Sequence, residues 1–217
     1  MAFDLRDGMW SGQSCLIVGG GPSLRGMDWM RAWRWIDQRP CVAVNRSAEM
    51  IPADFAVGID SVYWRKKASP PIGSECQRVW VDHGEKHPGE DKVDVVLPCA
   101  APVGTPNRHS ALAWGWTLAE GVGCGGNSGF AAMNLADVLG AETVYLLGFD
   151  LKGENGRATN FHDGYGDKPA HESICDRWLD AFRWASTRCR AKVVVLEVVE
   201  GDSRLDCWEK RLAGEVL

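Results

Sequence analysis

Residues 16–24 read LIVGGGPSL, and this stretch decides the fold. A short apolar run leads into three glycines, a proline and a serine ahead of a helical pattern. Glycine lets the backbone approach a ligand closely, and free amides at a helix start favour anions. The stretch therefore predicts a strand, a phosphate-binding turn and a helix, with Gly19, Gly20, Gly21 and Ser23 at the phosphate. The alternative interpretation is a tight strand-to-helix turn with no ligand.

The same loop departs from two common nucleotide motifs. Leu24 stands where the last glycine of G-x-G-x-x-G would be, and the lysine of a P-loop is missing. The second apolar run ends in Asn45, where an Asp or Glu would hold the ribose of NAD. The pattern therefore argues against an NAD-dependent dehydrogenase and an ordinary P-loop kinase.

Short apolar runs alternate with helical patterns along the chain. Continuous apolar character is typical of strands that are covered on both faces. We therefore predict one α/β domain over residues 1–217, with a Rossmann-like, doubly wound, mostly parallel sheet and helices on both faces. The predicted strands are residues 14–19, 41–45, 54–59, 78–82, 94–97, 143–148 and 192–198. The predicted helices are residues 28–37, 128–139 and 172–190, with a further candidate at 110–120; the spacing in 128–139 is that of a half-buried helix.

Composition and charge limit the classes of partner that we expect. The net charge of −5 gives no general attraction to nucleic acid. No signal peptide is visible, and no stretch reaches the roughly 18 to 20 apolar residues that cross a bilayer. We therefore expect a cytoplasmic protein without a membrane partner. The eight cysteines are scattered without a C-x-x-C pair, so we expect reduced, mostly buried thiols and no structural metal site.

Polar residues follow several predicted strands. In a parallel sheet the carboxyl ends of the strands meet at one edge, where doubly wound proteins bind their ligands. Each residue alone has an ordinary interpretation as a turn or cap residue. Together with the glycine loop they predict a cleft lined by Asn45, Asp60, Asn127, Ser128, Gly129 and Asp150.

Residues 152–169, KGENGRATNFHDGYGDKP, are polar and rich in glycine, and they come directly after a predicted strand. A long irregular loop at such a place is uncommon unless it is functional or disordered. We favour a lid that closes over the cleft and excludes water.

The motifs LIVGGGPSL, VAVN, DFAVGID and GNSGFAAMNLADVLGAETVYLLGFDL resemble the bacterial sialyltransferases and the related domain of archaeal 6-hydroxymethyl-dihydropterin diphosphokinases. Members of this set are often found in phage and bacterial genomes. The resemblance covers residues 15–60 and 126–182 and leaves 61–125 uncovered. It is more specific for the fold than for the reaction.

The resemblance implies roles for individual residues. A histidine beyond the strand that ends near Asp150 would be the general base; His171 matches this position best, and His162 is its rival. The family usually has Asn where Gly20 stands, and its phosphate-binding tyrosines are not matched near Lys152. The donor nucleotide would be held by Gly19, Gly21, Ser23, Asn45, Ser128 and Gly129, with Asp150 at the mouth of the site.

Three functions follow. The first is a glycosyltransferase that binds a nucleotide-sugar donor and uses His171 or His162 as general base. The second is Mg-ATP-dependent pyrophosphoryl transfer, in which Asp60, Asp150 and Asp163 hold Mg²⁺. The third is a non-catalytic nucleotide-binding protein. The acceptor stays open between a glycan, a metabolite and a modified base, and so does a homo-oligomeric state.

Overall fold

A single eight-stranded sheet, parallel throughout, forms the centre of the protein and confirms the predicted fold class. The computed structural model describes residues 5–66, 75–154, 157–158, 160 and 173–217. The strands are β1 (Ser14–Val18), β2 (Cys41–Val44), β3 (Phe55–Gly58), β4 (Gln77–Asp82), β5 (Val95–Pro98), β6 (Thr143–Leu147), the short antiparallel pair β7 (Gly153–Glu154) and β8 (Arg157–Ala158), and then β9 (Lys192–Glu197) and β10 (Glu209–Leu212).

The order of the strands creates a crevice beside β1. Across the sheet they run β10-β9-β6-β1-β2-β3-β4-β5, so the chain builds outward from β1 on one side and then returns to build from β6 on the other. Leu16 of β1 is paired with Cys41 of β2 and with Tyr145 of β6. The loops that leave β1 and β6 therefore part in opposite directions, which is where open α/β sheets bind ligands.

Helices cover both faces, as predicted. Buried side chains of α1, α2 and α5 pack on one face of the sheet, whereas those of α3 and α4 pack on the other. The helix α1 begins after Asp28, whose carboxylate accepts a hydrogen bond from the amide of Met30 at 3.2 Å. The helices are α1 (Trp29–Ile36), α2 (Ser61–Lys66), α3 (Ser128–Val138), α4 (Ser173–Ser186) and α5 (Ala213–Val216).

The helix α3 is buried along its whole length, so the expectation of a half-buried helix is wrong. A segment over residues 113–123 covers its outer side. The side-chain oxygen of Asn134 accepts hydrogen bonds from the amides of Gly115 and Gly123 at 2.9 and 2.8 Å, and its NH₂ group donates to the Gly115 carbonyl at 2.9 Å. Asn134 therefore supplies the backbone partners that this covering segment needs.

The candidate helix at residues 110–120 is also wrong. The structure has only a short 3-10 turn there, Arg108–Ser110. The segment that follows packs backbone against backbone, and a Cβ added to Gly115 would overlap the carbonyl of Gly121. Side chains accept hydrogen bonds from its amides, Asn134 from Gly115, Glu120 from Trp116 and Asp7 from Leu118, and these contacts prevail over local helix propensity.

Three of the predicted helices are found in the structure. The helices predicted at residues 28–37, 128–139 and 172–190 correspond to α1, α3 and α4, the last ending four residues early. All eight cysteines are free, and five of them are buried. In the part of the chain that the structure describes, no helix is long and apolar enough to span a membrane.

Candidate functional site

A cavity of about 380 Å³ opens at the carboxyl edge of the sheet, beside β1 and β6. Its volume lies in the range of small-molecule sites, about 300–1,000 Å³. We refer to it as the switch-point pocket. Ser23 is not among its lining residues, and His162 and His171 lie outside the residues that the structure describes. Nine predicted residues line it: Gly19, Gly20, Gly21, Asn45, Asp60, Asn127, Ser128, Gly129 and Asp150.

The glycine loop is tied to the end of β6. The amide of Gly19 donates to the carbonyl of Leu147, and the amide of Gly21 donates to the carbonyl of Gly148, each at 2.7 Å. Gly20 lies between Gly19 and Gly21 and lines the pocket. The Gly20 N–H has no acceptor among the described residues. Gly20 therefore lines the pocket with an amide that none of the described residues engages.

The remaining polar groups of the loop are held by Asp150. The amide of Ser23 donates to Asp150 Oδ2 at 2.8 Å, and its hydroxyl donates to Oδ1 at 2.7 Å. The expectation that Ser23 offers a bare amide to a ligand is therefore wrong, because a carboxylate of the protein already occupies that position. A Cβ on Gly21 would overlap this carboxylate, which explains why glycine is needed there.

Asp150 is 4% exposed. Burial raises the pKa of its carboxyl group, while the two hydrogen bonds from Ser23 favour the charged form and act in the opposite direction. Both carboxylate oxygens of Asp150 accept hydrogen bonds from Ser23. Asp150 therefore joins the turn after β1 to the turn after β6.

The N-terminus of α3 forms the floor of the pocket. Asn127 caps it: Oδ1 accepts hydrogen bonds from the amides of Gly129 and Phe130 at 2.6 and 3.2 Å. The hydroxyl of Ser128 accepts one from the amide of Ile59 at 3.2 Å, which joins α3 to the end of β3. The Ser128 N–H has no acceptor in the described part of the chain and lies at the positive end of an eleven-residue helix.

Sequence reasoning missed Trp178 and His109. The loop before α3 turns through Gly125 and Gly126, with φ of 53° and 69°. The indole N–H of Trp178 donates to the Gly126 carbonyl at 2.8 Å, and the Gly126 amide donates to the His109 carbonyl at 2.7 Å. Both side chains line the pocket. Trp178 lies on a predicted helix, so its position was available as a signal, whereas His109 lies in the stretch that the resemblance does not cover.

A second histidine accompanies His109. The rings of His83 and His109 have centroids 5.3 Å apart. Ser110 Oγ lies 2.8 Å from His109 Nδ1, and His83 Nε2 lies 3.0 Å from the Ile59 carbonyl. Two imidazole rings therefore lie side by side at this end of the pocket.

Asp60 lies at the same end and begins α2, where its carbonyl accepts a hydrogen bond from the amide of Tyr63 at 3.1 Å. Its side chain is accessible to water, but it sits in a concave wall that restricts its hydration. Burial therefore raises the pKa of this carboxyl group, His109 opposes the rise, and the charge of Glu85 adds to it.

The backbone is strained beside the pocket. Three non-glycine residues in the described part of the chain have positive φ: Asn45 at 53°, Leu151 at 49° and Asn107 at 51°. Asn45 and Leu151 line the pocket. Left-handed conformations of this kind are uncommon outside glycine and concentrate at functional sites.

The predicted lid is only partly described. Lys152 and Asn160 line the pocket, and Lys152 Nζ donates to the carbonyl of Gly201 at 2.6 Å. The rest of residues 152–169, apart from the β7–β8 pair, lies outside the described residues, so the lid stays a prediction. The described residues contain no group of three or more His, Cys, Asp or Glu that could hold a metal ion; Asp163, part of the predicted Mg²⁺ site, is not among them.

No protein-family model matches the chain, and no curated protein matches it. The resemblance to sialyltransferases and diphosphokinases therefore stays a prediction. What can be said about function rests on the geometry of the switch-point pocket.

Proposed function

We propose that the chain is a nucleotide-dependent transferase that binds a nucleotide-sugar donor in the switch-point pocket and transfers the sugar. The observation that carries the proposal is that two amides without acceptors among the described residues belong to residues that line the same cavity. Gly20 supplies one from the turn after β1, and Ser128 supplies the other from the start of α3. Two N–H donors from different elements in one cavity suit an anion better than a neutral ligand.

Magnitudes favour a phosphate at this position. A hydrogen bond to a charged group contributes about 1.5–3 kcal/mol, and the dipole of a helix adds about 0.3–1 kcal/mol, up to about 2 kcal/mol when it is partly buried. The amides of Gly20 and Ser128 would therefore stabilise a nucleoside phosphate both when it is bound and when it departs as the leaving group.

The wall formed by α4 suits a nucleoside. Ile174 and Trp178 line the pocket on this side, and Trp178 is half-buried, with its N–H engaged by the Gly126 carbonyl. The indole orientation is therefore fixed before a ligand arrives. A preset aromatic surface next to a phosphate site is an arrangement that a base or sugar can use.

The histidines would supply the proton chemistry. In sugar transfer, a bond forms between the acceptor oxygen and the anomeric carbon, the bond from that carbon to the phosphate oxygen breaks, and the acceptor hydroxyl loses its proton. A general base contributes about 10²–10⁴-fold to such a step. His109 lines the pocket, and His171 and His162 remain the candidates that the sequence proposes beyond β6.

One observation favours a second candidate. Asp60 and Asp150 both line the pocket, and carboxylates are ligands that Mg²⁺ prefers. Pyrophosphoryl transfer from Mg-ATP would use them, although Asp150 would have to release Ser23 first. A non-catalytic nucleotide-binding protein would use the same amides without turnover.

A ligand panel distinguishes these functions. We expect CMP or a UDP- or GDP-sugar to raise the melting temperature, because a ligand present at 100 times its Kd stabilises the native state by about 2.7 kcal/mol. A shift with ATP only when Mg²⁺ is present would favour the second candidate. Binding without any product from donor and candidate acceptors would favour the third, and no shift with any nucleotide would contradict all three.

Two glycine variants make the panel specific to the pocket. A Cβ on Gly20 points toward Asn160 Oδ1 at 3.1 Å, so Gly20→Val fills the pocket beside the free amide. Gly26 ends the 3-10 turn Pro22–Gly26 that follows the glycine loop, and its added Cβ would make only an ordinary contact, 3.7 Å from Val198. Gly20→Val should abolish the ligand shift, and Gly26→Ala should keep it.

A further inference from the structure

Two cysteines lie side by side next to the loop that leads into α3. Cys99 follows β5, Cys124 belongs to the glycine-rich stretch before Asn127, and their sulfur atoms are 3.6 Å apart. The chain segments that carry the two cysteines run parallel here. The amide of Val122 donates to the Pro98 carbonyl at 2.8 Å, and Cys99 forms a parallel bridge with Val122. This ladder holds the two thiols next to each other.

The surroundings make the two thiols unequal. The Cys124 thiol donates a hydrogen bond to the Cys99 sulfur. This bond lowers the pKa of Cys99 below the usual range of a thiol; burial opposes the change, and the Ala101 amide and the charges of Arg108 and His83 support it. The pKa of Cys124 is raised by the same bond and by burial. Cys99 is therefore the nucleophile of the pair, and Cys124 is the thiol that can follow it.

Three other thiols lie in surroundings that disfavour the thiolate. Burial raises the pKa of Cys15 and of Cys41 well above the usual range of a thiol, and burial raises the pKa of the half-buried Cys207 to about 11. These three are poor nucleophiles near neutral pH. Of these four thiols, Cys99 is therefore the one whose surroundings favour the thiolate.

We propose that Cys99 and Cys124 form a peroxide-oxidisable dithiol site beside the switch-point pocket. The Cys99 thiolate attacks one oxygen of hydrogen peroxide; the O–O bond breaks, a sulfenic acid forms, and hydroxide leaves and takes up a proton to become water. The Cys124 sulfur then attacks the Cys99 sulfur, the S–S bond forms, and the hydroxyl group departs with the Cys124 proton as a second water. Two thiols and one peroxide thus give one disulfide and two waters.

Oxidation acts on the loop that carries the α3 amide. An S–S bond is about 2.05 Å long, so the sulfur atoms must approach each other by about 1.5 Å. On the side before Cys124, a Cβ on Gly123 would overlap the Ala113 carbonyl, which shows how closely that backbone is packed. A Cβ on Gly125 would likewise overlap the ring of Phe130 on α3, so we expect an adjustment at Cys124 to reach the start of α3 through this contact.

Mass spectrometry of the full chain tests the site. Stoichiometric hydrogen peroxide should remove two hydrogens from the intact mass and yield a crosslinked peptide pair that contains Cys99 and Cys124. In Cys124→Ser the reaction should stop at a sulfenic acid on Cys99 that dimedone traps, and Cys99→Ser should give neither product. Cys207→Ser is the matched control and should form the disulfide as the unaltered chain does.

Alkylation of the unaltered chain provides a measurement that does not depend on the variants. At pH 7 Cys99 should react with iodoacetamide at least about tenfold faster than Cys207, since its larger thiolate fraction outweighs its lower intrinsic nucleophilicity. Equal rates, a disulfide between other cysteines, or no dimedone adduct in Cys124→Ser would overturn the proposal.

Hydrogen exchange tests the coupling to the pocket without any nucleotide, so its result is independent of the proposed transferase. The amides of residues 125–130 should exchange several-fold faster in the disulfide form, and reduction should restore the original rate. Unchanged exchange in a fully oxidised sample would refute the coupling.

Discussion

Replacing Asn134 with leucine should strongly destabilise the protein, although the two side chains have the same number of heavy atoms and the same branching. Asn134 is fully buried, and its amide group makes three hydrogen bonds: two accepted from the amides of Gly115 and Gly123, and one donated to the Gly115 carbonyl. Leucine makes none of them. Two N–H groups and one carbonyl would then be buried without partners.

The size of the loss follows from the number of groups. A buried polar group that loses its partner costs about 1–3 kcal/mol. Partial relaxation of the 113–123 segment toward water would recover some of this, so we expect Asn134→Leu to lower the free energy of unfolding by about 3–6 kcal/mol. That is a large share of the about 5–15 kcal/mol of a typical domain.

Urea unfolding followed by circular dichroism measures the change. Met133→Leu is the matched control: Met133 is buried next to Asn134 on α3, and a volume-conserving apolar exchange costs less than about 1.5 kcal/mol. An Asn134→Leu variant no less stable than Met133→Leu would refute the reasoning, because Asn134 would then not hold the covering segment.

Two further predictions concern the pocket. The pKa of Asp60 is raised in the folded state, so the stability that its protonation contributes is present below about pH 4 and is lost as the pH rises through the folded pKa. The variant Asp60→Asn should not show this loss, so it should gain stability over the unaltered protein at pH 7 relative to pH 4. Melting temperatures of the two proteins that change in parallel between pH 4 and pH 7 would contradict the prediction. In Gly21→Ala the new Cβ overlaps the Asp150 carboxylate, which should disrupt the Ser23 contact and cost about 1–3 kcal/mol. Gly26→Ala on the same turn should stay within about 0.5 kcal/mol in urea unfolding, and equal costs for the two variants would show that the turn does not depend on this contact.

The sheet could be predicted from the sequence because its signals are local. The runs CLIV in β1 and VVVL in β9 are continuously apolar, and in the folded chain their residues are buried. The same logic predicted that polar residues after the strands would meet, since parallel strands end at one edge. Asn45, Asp60 and Asp150 do line one pocket.

The parts that the sequence did not predict depend on long-range partners. The carboxylate of Asp150 accepts a hydrogen bond from the amide of Ser23, 127 positions away in the chain. No local pattern in the sequence indicates that a carboxylate would fill the expected phosphate position. The 110–120 segment has helix-forming residues, yet Asn134 holds its backbone in another shape. The strand β10 is fully exposed and charged, so it lacks the apolar run that marks a strand.

The most direct test of the central claim compares two variants at one residue. Asn127 is extended, with φ of −151° and ψ of 128°, a conformation that a following proline accepts, and Ser128 is the first residue of α3. Ser128→Pro therefore removes the N–H while the helix can still form, and Ser128→Ala removes only the hydroxyl. The measurement is the Kd, by titration calorimetry, of the nucleotide that gives the largest shift in the panel.

If the Ser128 amide binds the phosphate, Ser128→Pro should bind that nucleotide at least about tenfold more weakly than Ser128→Ala, the equivalent of about 1.5 kcal/mol for one charge-assisted hydrogen bond. Circular dichroism would establish that both variants keep the helix. Equal affinities in two folded variants would contradict the account, because the phosphate would then be bound elsewhere.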